Sequence, residues 1–188
     1  MQAIVSGDKR LWEMTLKSAV MYDDFDFAAR AAALLERAAI RADAAIKWDL
    51  KPWRFDVLKQ SVLAKAAFAE TTDADLIVVA SCGTHLPPDE LMDWLEQWAA
   101  HRQIKDAAVM AFCPEENAGP MSLGERLKQF AEWHGLPFLG SRILQDDGAS
   151  TDFVHRLWRQ RQLPQPVAPS LELSGGSARP PRHWGINE

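Results

Sequence analysis

Three short stretches carry side chains able to do chemistry. Asp23, Asp24 and Asp26 form an acidic cluster. Ser81, Cys82, Gly83, Thr84 and His85 follow one another in a single run, and Cys113 stands just before Pro114. Clustered carboxylates can bind Mg²⁺, although any one of them can equally cap a helix. Cys82 and His85 offer two ligands, whereas structural zinc wants four. Two thiols at the ends of neighbouring strands could form a redox pair, but cysteine also packs as a small hydrophobe closing a buried strand. A histidine on such a loop can act as a general acid or base, or simply bond to water and backbone. No Gly-rich phosphate loop, GxGxxG, GxSxG or HExxH motif occurs. The expected ligand-binding site gathers Asp23, Asp24, Ser81, Cys82, Gly83, Thr84, His85 and Cys113, without a metal ion. No single residue is picked out as catalytic.

The elements that must position these residues centre on residues 73–98. Leu76 to Ala80 is an unbroken apolar run, bounded by Asp75 and by Ser81-Cys82-Gly83. With no polar side to offer water, it reads as a strand buried on both faces. Pro87-Pro88-Asp89-Glu90 opens a helix, since proline fits a first turn and acids there complement the helix dipole. Leu91, Met92, Trp94, Leu95 and Trp98 recur at helical spacing and form an apolar stripe. Strand, loop and helix make half of a βαβ crossover, with the loop at the carboxyl edge where open α/β sheets bind ligands.

The remaining chain repeats this pattern. Ala3-Ile4-Val5 is either a short edge strand or part of an arm carrying Trp12. Residues 16–22 read as the first core strand. Asp24 or Asp26 caps a helix over 27–42, with Leu34, Leu35 and Ile40 on its buried side. Residues 45–50 alternate and read as a strand near an edge, followed by a loop over 51–55. A helix over 56–70 counts Val57, Leu58, Val62 and Leu63 as apolar. Residues 107–112 are another buried strand. Ser122 caps a helix through Leu127, Phe130, Ala131 and Trp133, and Gly135 stops it. Residues 137–144 hold the last strand, Gly148 a turn, and 152–161 a final short helix.

Strands alternating with helices, joined by long connections, call for right-handed parallel crossovers. The expected fold is a three-layer α/β/α sandwich with a five-stranded parallel sheet. The order 2-1-3-4-5 fits best, because the third strand is the most buried and the second the most amphipathic. A Rossmann half with an extra strand is the alternative. The α/β domain should cover 1–162. A Pro/Gly/Ser-rich arm over 163–188 should follow, ending Arg182-His183-Trp184-Gly185-Ile186-Asn187-Glu188.

The totals exclude several classes. In a chain of 188 residues, 47% hydrophobic and 25% charged, a sizeable core is possible. A net charge of −5 argues against nucleic acid and anionic membrane as partners. No apolar run approaches the roughly 20 residues that span a bilayer, and two cysteines make no disulfide framework. The cytoplasm is the expected compartment. Eight tryptophans against one tyrosine suggest large aromatic anchors. A tryptophan left over from the core would make the helix carrying Leu91 and Trp98 a subunit interface, so a homo-oligomer is expected. The arm is expected to dock, through residues 182–188, on the body or on a neighbouring subunit.

From Ile46 to Leu95 the chain resembles the NADPH-dependent FMN reductases, a branch of the flavodoxin-like superfamily. Asp49-Leu50 is similar to the close of that family's second strand. Residues 74–81 (A-D-L-I-V-V-A-S) resemble its third strand, and Asp93-Trp94-Leu95 the Asp-Trp of its next helix. The resemblance implies the flavodoxin-like fold and, as one reading, an FMN-dependent NAD(P)H or quinone oxidoreductase. Two elements depart from it. Where the family has a Ser/Thr/Asn-rich phosphate loop, this chain has Asp23-Asp24-Phe25-Asp26, whose charge would repel a phosphate. Where it has a Pro-Glu-Tyr-Asn-Gly-like loop against the flavin ring, this chain has residues 82–88, shorter and lacking Tyr and Asn-Gly. The first expectation is therefore a protein without the standard FMN site, binding a partner or small molecule at the carboxyl edge between 22–26 and 81–88, with 113–119 as a third wall. The layout, with its 182–188 end, also resembles a bacterial family that implies no particular activity.

Overall fold

The most apolar five-residue runs of the chain form the centre of one sheet, and everything else is layered over them. The computed structural model describes residues 14–42, 46–82, 87–113, 122–140, 152–157 and 159. The elements are β1 (Met14–Tyr22), α1 (Phe25–Arg41), β2 (Ile46–Arg54), a 3-10 turn (Phe55–Lys59), α2 (Ser61–Thr71), β3 (Leu76–Ala80), α3 (Asp89–His101), β4 (Ala108–Phe112), α4 (Leu123–Trp133) and β5 (Phe138–Gly140). Residues 152–157 are a further helical segment. All strand pairs are parallel, in the order β2-β1-β3-β4-β5. This is a flavodoxin-like α/β sandwich, and the order sets the Rossmann alternative aside.

Every residue of β3 and β4 is buried, as an unbroken apolar run requires. Side-chain alternation divides the core in two. Met21, Ile77, Val79 and Val109 pack under α2, α3 and α4, with Leu91, Trp94, Leu95 and Trp98 as the central helix's share. Leu16, Val20, Val78 and Met110 pack under α1 and the 152–157 segment. Polar groups inside are tied locally. The Trp98 indole donates to the Thr71 carbonyl at 2.9 Å, and the Thr71 hydroxyl donates to the Ala67 carbonyl at 2.7 Å. At the amino edge, the Lys17 amide donates to the buried Asp75 carboxylate at 2.8 Å, joining β1 to β3.

Three expectations are corrected. Strand β2 runs on to Arg54, through the stretch 51–55 read as a loop. Pro52 is tolerated because β2 is an edge strand, where a missing N–H that faces solvent costs no ladder bond. Ile40 is 77% exposed, because the buried side of α1 follows Ala28, Ala31, Leu34, Leu35, Ala38 and Ala39 and leaves residue 40 outside. Val62 is also 77% exposed: the 3-10 turn breaks the single helix expected over 56–70 and resets its phase. Helix α4 runs to Trp133 as expected, and that residue, one position off the stripe of Leu123, Leu127, Phe130 and Ala131, is 85% exposed. Two caps fall as expected. Ser122 accepts from the Glu125 amide, and Gly135 follows α4 with φ of 64°. The expectations for residues 1–13, for Gly148, for the turn after β5 and for the arm from 163 lie outside the described residues. No helix among the described residues is long and apolar enough to cross a membrane.

Candidate functional site

Strands β1 and β3 are neighbours with Tyr22 opposite Ala80, so Asp23 and Ser81 leave the sheet side by side at its carboxyl edge. Backbone bonds hold them there. The Asp23 amide donates to the Ala80 carbonyl at 3.4 Å, and the Ser81 amide to the Phe112 carbonyl at 3.0 Å. The Ser81 hydroxyl donates to Asp23 Oδ2 at 2.5 Å, and the Cys82 thiol lies 4.0 Å from the same oxygen. A carboxylate gathering two such donors is a strong acceptor. Asp23 is exposed while Ser81 is buried, so the carboxylate faces outward from a fixed base.

Asp24 does something different. Its backbone is extended, and its Oδ1 accepts from the Asp26 amide at 2.8 Å, which makes it the cap of α1. Asp26 lies in the first turn, and Phe25 between them is 70% exposed. Of the two capping candidates, Asp24 is the one used. The FMN phosphate implied by the family resemblance would need these amide donors and an electropositive helix end. Here an amide donor of the first turn is bound to a carboxylate, and Asp23 and Asp26 flank it. The residues present do not fit that phosphate. Among the described residues, no group of three His, Cys, Asp or Glu side chains is placed to hold a metal ion.

Cys82 and Cys113 each lie seven residues after an aspartate, Asp75 and Asp106, and that spacing would set them level on neighbouring strands, but they are less closely matched. Leu76 pairs with Ala108 and Ala80 with Phe112, so one additional residue separates Asp106 from its strand. Ser81 therefore falls opposite Cys113, and Cys82 one step beyond. Cys113 is buried, Cys82 is partly exposed, and neither forms a disulfide. The structure thus brings Asp23, Ser81 and Cys82 together, turns Asp24 to the helix, and buries Cys113 beneath the edge. Gly83, Thr84 and His85 lie outside the described residues, as do residues 114–119 of the expected third wall.

Among the described residues, one depression opens at this edge and a larger one lies between helices. A cleft of about 240 Å³ is lined by Asp23, Arg54, Phe55, Asp56, Lys59 and Pro88. Arg54 and Asp56 pair across 2.8 Å on its wall. The sequence reading missed this wall, having taken Arg54-Phe55 for loop; a basic, aromatic and acidic residue in succession after an edge strand was the available signal. The larger depression, about 530 Å³, is a groove between α2 and α3. Trp94 and Trp98 are both core residues, so no tryptophan on α3 is left over to form the expected subunit interface. Solvent meets Glu90, Asp93 and Gln97 on that helix instead.

No protein-family model matches the chain, and no curated protein matches it. Among solved structures, a similar one is the two-electron reduced flavodoxin of Megasphaera elsdenii, in solution. It is 15% identical, with a TM-score of 0.42, and the match covers 73% of this chain and 99% of that one. The fold assignment rests on the strand order rather than on this likeness.

Proposed function

We propose that this chain is a flavodoxin-like binding protein without the standard FMN phosphate site, taking a small molecule or partner at the carboxyl edge of its sheet. The observation that carries this reading is the Asp24 carboxylate bonded to the first turn of α1, where a flavin phosphate would need that amide. Asp23, held by Ser81, adds a second carboxylate at the same mouth. An edge of this charge favours a ligand that donates hydrogen bonds or carries positive charge. The exposed face of Phe25 adds apolar contact beside it. The likeness of residues 74–81 and of Asp93-Trp94 to NADPH-dependent FMN reductases supports common descent of the fold rather than retained chemistry.

The test is a visible absorbance scan of the purified protein, repeated after adding excess FMN and removing what stays free. No flavin band is expected in either sample. A band would overturn the reading in favour of an FMN-dependent NAD(P)H or quinone oxidoreductase with a divergent flavin site, and NAD(P)H oxidation assays would then follow.

A further inference from the structure

The groove between α2 and α3 has a floor and a rim of different chemistry. Leu58, Ala64, Phe68 and Trp94 supply apolar and aromatic surface. Glu90 and Asp93, one turn apart on α3, stand exposed along one side, with Lys65 of α2 as the one lysine or arginine among the lining residues, and no ion pair among the described residues involves either acid. The Phe68 and His101 rings meet edge to face, with centroids 5.8 Å apart, beside the same groove. Aromatic-lined grooves with acidic rims suit proline-rich segments flanked by arginine, because an extended proline run loses little entropy on docking.

The end of the chain carries such a segment. Residues 179–184 read Arg-Pro-Pro-Arg-His-Trp, with two arginines, a histidine, a tryptophan and no acid. We propose that this segment of the chain's own arm seats in the α2/α3 groove, with the arginines against Glu90 and Asp93 and the prolines and Trp184 over Phe68. Reach is sufficient. The 152–157 helical segment packs on the opposite face of the sheet, beside α1. From residue 159 the intervening residues extend up to roughly 65 Å, against a surface path of about 60 Å halfway round a domain about 40 Å across.

The test is fluorine NMR of the full chain grown with fluorotryptophan, the Trp184 signal being assigned by its loss in Trp184→Phe. The expected result is a Trp184 signal shifted away from that of a free indole, independent of protein concentration. Glu90→Lys with Asp93→Lys should return it to the free position, and adding Arg179→Glu with Arg182→Glu should restore the shift. The other tryptophan signals report whether each variant is folded. A free-indole signal in the parent protein would overturn the proposal. So would a shifted signal unmoved by the Glu90 and Asp93 variants, or a shift appearing only as the chain dimerises, which would seat a second copy's arm instead.

Discussion

Removing the charge at the start of α1 should raise the affinity of this edge for FMN. The perturbation is Asp23→Asn, Asp24→Asn and Asp26→Asn together. Asparagine caps a helix about as well as aspartate, so the bond to the Asp26 amide is kept while the charge is lost. A phosphate on the helix end would lie about 6 Å from each carboxylate, where a unit pair in water is worth roughly 0.7 kcal/mol. Three carboxylates against a phosphate of about −1.5 to −2 charge sum to roughly 3–4 kcal/mol. Salt of physiological strength cuts that to about half. The remaining 1.5–2 kcal/mol, roughly, is a ten- to thirtyfold gain in Kd. The assay is quenching of flavin fluorescence in parallel titrations of the parent and the neutral protein, at low and at high salt. The difference should shrink as salt rises. Equal Kd values in the two proteins, or a gain indifferent to salt, would refute the claim that charge keeps the phosphate away.

Three further outcomes test the frame that holds this edge. Trp98→Ala removes a fully buried ring and its bond to the Thr71 carbonyl, and should cost about 3–5 kcal/mol in urea unfolding; a loss under about 1 kcal/mol would contradict the packing described. Gly135→Ala meets no atom within 4 Å, so its cost of about 1–2 kcal/mol comes from the positive φ alone, read as a lowered Tm. Trp133→Lys, at a position 85% exposed, should leave stability within about 0.5 kcal/mol by denaturant titration.

Residues 76–80 and 108–112 were legible as central strands because a five-residue run with no polar side admits burial on both faces and little else. The strand order followed from that contrast with amphipathic β2. Helix phase was harder. Ile40, Val62 and Trp133 are as apolar as their buried neighbours, and only the backbone's start and its 3-10 turn decide which side each occupies. The end of β2 was hidden because Pro52 argues against a strand anywhere except an edge. At the site, Asp23, Ser81 and Cys82 converge because they follow neighbouring strands, which the strand order implies. The Cys82–Cys113 register was not legible: it depends on how far β4 slides along β3, and equal spacing from two aspartates does not set that slide.

Helix α3 connects the two openings. Pro88, its cap residue, lines the carboxyl-edge cleft, while Glu90 and Asp93 line the groove. Its apolar side is spent on the core, where Leu91, Leu95 and Trp98 are fully buried. What remains for any ligand or partner is the polar side, and that side begins with acids placed where they also complement the helix dipole. Asp89 and Glu90 would be explained by helix stability alone. Asp93, a turn further on, lies past the first turn, where the dipole effect falls off. The exposed carboxylate there lines the groove together with Lys65 of α2. The same reasoning separates Asp24, which the α1 cap accounts for, from Asp23, which no helix needs and which Ser81 holds toward the mouth of the cleft.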